Sequence, residues 1–258
     1  MNDMLNEIVE NKRKEVAQIK RERPLSYLQK RIARQKPPLD FARALVGDHT
    51  KIIAEVKRAS PSKGDLNLDL DHIALAKLYQ YGKAAAISVL TEKAYFKGGL
   101  NYLSEIRDET NVPLLRKDFI FDQYQIYEAR AYGADALLLI VAILEQAQLA
   151  ELVSTAHSLK MSCLVEVHNE EEVERAVSAD AMIIGINNRN LVTFSVDIDT
   201  TKRLLPLIPQ GIVTVSESGI KNGDDIKMLN EWKLNAALIG ESLVTADDVL
   251  SKLREFVL

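Results

Sequence analysis

From residue 50 onward, short apolar runs alternate with longer amphipathic ones. The apolar runs predict strands at Ile52–Val56, Ala85–Val89, Leu114–Lys117, Ala136–Ile140, Cys163–Val167, Met182–Ile186, Ile212–Val215 and Ala237–Ile239. Helical periodicity falls between them, at Leu70–Tyr81, Leu100–Thr110, Gln123–Tyr132, Glu145–Leu159, Glu170–Ser178, Asp199–Leu207, Asn222–Leu229 and Asp247–Phe256. Eight strands, each followed by a helix at regular spacing, are the sequence form of an α/β chain closed into a (β/α)₈ TIM barrel. An open doubly wound sheet usually has fewer strands and, for dinucleotides, a Gly-rich first turn. No G-x-G-x-x-G occurs here, so the closed barrel is preferred.

Residues 1–49 precede the repeat. Met4, Leu5, Ile8, Val9, Val16 and Ile19, set among Lys and Glu, predict an amphipathic helix. A second, basic segment, Leu25–Arg34, ends before Pro37-Pro38. Neither offers enough apolar residues for a core of its own. Residues 1–258 therefore read as a single domain, with 1–49 as a helical extension on the barrel of 50–258. Covering a barrel end is the expected role of the extension, and closing over substrate is the alternative.

Composition narrows the partners. A formal net charge of −4 over 258 residues offers no basic surface for a phosphate backbone, so no nucleic acid is expected. The single cysteine, Cys163, excludes an internal disulfide and fits a reducing compartment. His49, His72, His157 and His168 show no metal-ligand spacing, and no metal is expected. No apolar run is long enough to span a bilayer, and the acid-bearing N-terminus lacks a signal-peptide core. These features point to a cytoplasmic protein without a membrane partner.

Candidate chemistry gathers where the predicted strands end, the face on which barrels place their active sites. Alternation puts Glu55 and Lys57 on one side of an otherwise apolar strand, an arrangement whose desolvation cost asks for a function. The third strand ends in Arg116-Lys117-Asp118, with Leu115, Lys117 and Phe119 sharing a face. Glu166 shares a face with Leu164 in the fifth strand. The sixth runs into Asn187-Asn188-Arg189, the seventh into Ser216-Glu217-Ser218-Gly219, and the eighth into Gly240-Glu241-Ser242. Singly, each polar residue has a structural explanation as an ion-pair partner, a cap or a turn. As a set, two lysines and two glutamates at one end of three odd-numbered strands read as catalytic. The glycine-containing turns after strands seven and eight fit a phosphate held by backbone N–H groups. His168-Asn169-Glu170 reads as a helix start capped by Asn169 rather than as a catalytic base.

These residues resemble the indole-3-glycerol-phosphate synthase family of tryptophan biosynthesis. The resemblance rests on Ile53-Ala-Glu-Val-Lys-Arg-Ala-Ser-Pro-Ser62, on Ile87-Ser-Val-Leu-Thr91 with Tyr95-Phe96-x-Gly98, and on Arg116-Lys-Asp-Phe-Ile120. It continues through Gly133-Ala-Asp-Ala-x-Leu-Leu-Ile140, Gly185-Ile-Asn-Asn-Arg-Asn-Leu191, Ser216-Glu-Ser-Gly-Ile220 and Leu238-Ile-Gly-Glu-Ser-Leu243, covering nearly the whole chain. It implies conversion of 1-(2-carboxyphenylamino)-1-deoxyribulose 5-phosphate to indole-3-glycerol phosphate, with loss of carbon dioxide and water and no cofactor.

By the same resemblance, Lys117 is the general acid at the ketone oxygen, and Lys57 holds the substrate and assists dehydration. Glu55 is the matching base and Glu166 stabilises the cationic ring intermediate. Asn187 hydrogen-bonds the substrate, and Glu217 is a further catalytic contributor. Ser218, Gly219, Gly240 and the backbone of Glu241 bind phosphate, Phe96 and Phe119 line the anthranilate pocket, and Ser60, Leu138 and Arg189 complete the substrate contacts. A monomer is expected. The rival readings are another phosphosugar barrel enzyme, such as an isomerase or a Schiff-base aldolase, and a non-catalytic phosphosugar-binding regulator. The isomerase needs a Cys/Asp pair, and Cys163 faces away from the side of Glu166.

Overall fold

The computed structural model describes residues 3–257; Met1, Asn2 and Leu258, at the edges of the domain read from the sequence, lie outside it. Among the described residues, eight parallel strands close into a barrel. They are β1 (Lys51–Val56), β2 (Ala86–Leu90), β3 (Leu114–Lys117), β4 (Ala136–Ile140), β5 (Ser162–Val167), β6 (Ile183–Asn187), β7 (Val213–Glu217) and β8 (Ala236–Ile239). Each pairs with its sequence neighbour, and β8 returns to β1 through Ile52 opposite Ala237 and Ala54 opposite Ile239.

Such strands are buried on both faces, so they read as continuous apolar runs with no polar side to mark. Strand alternation then separates two cores. Ile53, Leu115, Leu138, Leu164, Val215 and Leu238 fill the barrel, while Ile52, Val89, Leu139, Cys163 and Val165 meet the helices outside. Cys163 therefore lies on the opposite face from Glu166, as alternation requires.

The sequence periodicity finds every strand and places most ends within a residue. The larger departures have physical causes. Strand β7 continues two residues past the expected Val215, because Ser216 and Glu217 stay in the ladder: Asn187 stands opposite Glu217. A polar residue at the mouth of a barrel ends the apolar signal before it ends the pairing. The helix expected over Asp199–Leu207 is α-helical only to Leu204. Its last turn, Leu205–Leu207, is a 3₁₀ helix around Pro206, which has no N–H to continue the α pattern.

The extension begins with α1 (Asp3–Glu22) and α2 (Leu25–Ile32). A short α3 (Phe41–Ala44), which periodicity does not reveal, follows with Asp40 as its cap. The extension covers both ends of the barrel. At the bottom, Phe41 and Leu45 plug the inner core and the N–H of Leu39 donates to Asp135 at 2.7 Å. At the mouth, α1 packs Leu5, Val9 and Val16 on the barrel and adds Met4, Leu5 and Ile8 to the wall of the large cavity there.

An ionic contact pins α1 in that position. Lys12, only 3% exposed, pairs with Asp118 at 3.1 Å; Asp118 also pairs with Arg116, and Arg116 with Glu128 at 2.9 Å. Arg116 and Asp118 flank Lys117 in sequence but point outward, so one strand end supplies both the anchor of α1 and a cavity lysine. Among the described residues, no helix is long and apolar enough to cross a membrane.

Removing one member of a buried ion-pair network leaves its partner undercompensated, at a cost of about 3–5 kcal/mol. Arg116 still faces Asp118 in a Lys12→Ala variant, so the expected loss is near the lower figure, about 3 kcal/mol. Chemical denaturation measures it, and a midpoint equal to that of the unmodified chain would refute the anchoring role.

Candidate active site

The strand ends converge on a cavity of about 460 Å³, with its floor on the inner core and one wall on α1. Glu55, Lys57, Ser60, Phe96, Lys117, Phe119, Leu138, Glu166, Asn187, Arg189, Ser218, Gly219, Gly240 and Glu241 all line it. Glu217 is the one predicted site residue that does not. It lies beneath Lys117, 1% exposed, and touches the cavity through the lysine.

Lys117 is the hub. Its ammonium is 2.8 Å from Glu217, 3.8 Å from Glu55 and 3.9 Å from Glu166. Burial alone would discharge a lysine, but the three carboxylates overcome it and hold the ammonium above its ordinary pKa. Glu55 pairs at 2.9 Å with Lys57 and contacts the Ser88 hydroxyl. Burial opposes its ionisation, yet Lys57 and Lys117 together keep it below the usual carboxylate range.

Glu217 goes the other way. Burial and the nearby charges of Glu166 and Glu55 push it up to about 7 despite Lys117, so it exchanges a proton near neutrality. Its Oε1 is buried with no hydrogen-bond partner, and it fits only because position 185 is glycine: a Cβ there would overlap that oxygen.

The opposite side of the cavity suits an anion. Ser218 and Gly219 both take left-handed backbone, at φ 68° and 86°. A left-handed serine is strained, and such strain concentrates where the backbone must present its N–H groups to a ligand. After Gly240 the chain turns into α11 (Glu241–Val244), whose first N–H groups have no intrahelical acceptor. Gly240 has a second role that a phosphate reading misses, since a Cβ there would overlap Glu55 Oε1. The Ser60 hydroxyl is buried, lines the cavity and lacks a protein partner. Phe96 and Phe119 form a tilted aromatic pair, with centroids 6.2 Å apart, at the apolar end. Arg189 ties the loop after β6 to the loop after β1 through Ser62, at 3.3 Å.

The family model of indole-3-glycerol phosphate synthase matches residues 5–256. The chain belongs to that family. The namesake enzyme of Dehalococcoides mccartyi is 50% identical over 224 residues, 86% of each chain. That of a Roseiflexus species is 48% identical over 264 aligned positions, covering 99% of this chain and 98% of the relative. Among solved structures, KGPDC from Streptococcus mutans superposes with a TM-score of 0.64 over 81% of this chain and 96% of its own, at 11% identity, a likeness of fold alone. The chain accordingly catalyses ring closure, decarboxylation and dehydration of 1-(2-carboxyphenylamino)-1-deoxyribulose 5-phosphate, as a carboxy-lyase of tryptophan biosynthesis.

The sequence marks His168 only as part of a helix start. Asn169 is indeed the cap of α8 (Glu170–Ser178), accepting from the N–H of Glu172. His168 itself, however, stands directly behind Glu166, with Nε2 3.2 Å from Glu166 Oε1. The signal was available: His168 is two residues beyond Glu166, on the same side of the chain.

Two expectations follow from this geometry. Gly240→Ala should displace Glu55 and lower kcat about a hundredfold, the scale of an ångström-level misplacement of a catalytic group. Steady-state assays alongside an unchanged circular dichroism spectrum would check it. Glu217, raised in the folded state from an ordinary 4.5 to about 7, contributes its full stability below pH 4.5 and loses it as pH rises through 7. Glu217→Gln should therefore gain in melting temperature on the unmodified chain between pH 5 and 8. A constant difference over that range would refute the raised pKa.

Proposed function

We propose that the charged groups of the cavity divide the reaction into an acid-catalysed closure and an acid–base dehydration. The phosphate lies on the Ser218–Gly219 and Gly240–Glu241 side, and the anthranilate ring between Phe96, Phe119 and Leu138. Lys117 protonates the ketone oxygen as the ring carbon bearing the carboxylate attacks the ketone carbon. The nascent alkoxide is basic enough to take a proton even from a stabilised ammonium. Glu166 faces the resulting ring cation. Loss of carbon dioxide leaves its bonding pair in the ring and restores aromaticity. Lys57 then protonates the departing hydroxyl, which leaves as water, and Glu55 removes the ring proton that completes the indole. Asn187 and Arg189 hold the substrate's polar groups, and Glu217 resupplies Lys117 with a proton.

The observation that carries this reading is Lys117 among three carboxylates, within one cavity that also contains the Glu55–Lys57 pair. A lysine held charged is an acid and not a nucleophile, which weighs against the Schiff-base alternative. Residues 1–49 and the barrel act as one unit, supported by the Lys12–Asp118 and Leu39–Asp135 contacts across their boundary. A small phosphorylated substrate and a lone, buried thiol suit a cytoplasmic enzyme.

Loss of a positioned acid costs about 10²–10⁴-fold in rate. Lys117→Ala should lose that much kcat, as followed by indole fluorescence, while indole-3-glycerol phosphate still binds. Glu55→Gln should lose turnover at the dehydration step and accumulate the decarboxylated, undehydrated intermediate, detectable by mass spectrometry after quenching. Near-normal turnover in either variant overturns the role given to that residue.

A further inference from the structure

Both ring nitrogens of His168 face carboxylates. Nδ1 is hydrogen-bonded to Glu172 Oε2 at 2.9 Å, and Nε2 stands 3.2 Å from Glu166 Oε1, an ion-pair distance outside hydrogen-bond geometry. A neutral imidazole has only one N–H, and its other nitrogen would turn a lone pair on a carboxylate. Both contacts are attractive only if the ring is an imidazolium. His168 does not line the cavity, so it meets the reaction only through Glu166.

Glu172 is itself fixed. Its Oε2 accepts the backbone N–H of His168 at 2.8 Å, and its Oε1 accepts the Asn169 side-chain N–H at 2.9 Å. Its own N–H donates to Asn169 Oδ1 at 3.0 Å. The cap that starts α8 thus also clamps the far side of the imidazole. On the near side, Glu166 divides its oxygens: Oε1 toward His168 and Oε2 toward Lys117, 3.9 Å away.

We propose that His168, held as an imidazolium by Glu172 and the α8 cap, is a positioning residue that keeps Glu166 ionised and aimed into the cavity. This inference rests on the role of Glu166 opposite the ring cation. It explains how Glu166 remains a carboxylate when Lys117 turns away to the substrate ketone. Without His168, Lys117 would be the only full positive charge facing Glu166 among the described residues, and Glu217 and Glu55 compete for that charge. The charged groups facing the ring are Glu166 from β5 and Glu172 from α8; Lys117 from β3 and Glu217 from β7 act on it through Glu166. Burial disfavours the charged ring, but the two carboxylates overcome this and raise His168 to about 10, in agreement with the geometry.

Two measurements on the full chain test the proposal. Long-range ¹H–¹⁵N spectra of the imidazoles, with the His168 signals assigned by their loss in His168→Asn, should show His168 doubly protonated at pH 8 and titrating lower in Glu172→Gln. A neutral His168 ring at pH 8 overturns the proposal whatever the role of Glu166. The second is the pH profile of kcat. His168→Asn should move the acidic limb up by at least one unit, so that kcat at pH values below that limb falls about tenfold further than on the plateau. KM should change little.

A uniform loss across pH, with a lowered melting temperature, would make His168 merely structural and overturn the proposal. In a Glu166→Gln background, His168→Asn should cost almost nothing further, whereas independent multiplicative losses would break the link. If Glu166→Gln alone turns over normally while the ring is doubly protonated, the role of Glu166 has failed and the clamp has not.

Discussion

One half-buried lysine sets the terms for the rest of the site. Lys117 is largely shielded from bulk water at the mouth of the barrel, where an ammonium without counter-charge would more readily give up its proton. Three carboxylates on three other strands, Glu55, Glu166 and Glu217, prevent that. Each carboxylate then needs compensation of its own. Lys57 supplies it to Glu55 and His168 to Glu166, while Glu217 has no second cation and titrates near neutrality instead. The polar chemistry is a chain of such compensations, started by keeping one acid charged in a partly shielded cavity.

The barrel makes the arrangement affordable. Closure removes sheet edges, and strand alternation aims every second side chain at the axis. Four odd-numbered strands therefore bring Glu55, Lys117, Glu166 and Glu217 to one level with no contribution from flexible loops. Small residues are part of the same geometry. Gly185 makes room for Glu217 and Gly240 for Glu55, so two glycines far apart in sequence shape the carboxylates around a single lysine. Outward-facing neighbours anchor α1: Asp118, next to Lys117, holds Lys12, while Met4, Leu5 and Ile8 of the same helix meet the cavity.

Much of this was legible in the chain. The period of the apolar runs located all eight strands, because a strand buried on both faces has no polar residues to interrupt the pattern. Alternation placed Glu55 with Lys57, and Lys117 with Leu115 and Phe119, since those relations are local and obey a two-residue period. The same rule separated Cys163 from Glu166. Less legible were the ends of β6 and β7, where Asn187 and Glu217 remain paired although they are polar. The plug formed by Phe41 and Leu45 was also hidden, because a four-residue helix shows no period and its apolar residues are defined only by the barrel they enter.

The sequence by itself determined the barrel, the family and the set of polar residues at the strand ends, because each follows from short-range pattern or from contiguous motif. It did not determine which charges meet. That Glu217 lies under Lys117 and off the cavity wall, that Gly240 serves Glu55 as well as the loop beside it, and that His168 backs Glu166 are facts of distance between separate strands. Coulomb interaction and desolvation depend on those distances and on the exclusion of water, and both arise only when the barrel closes.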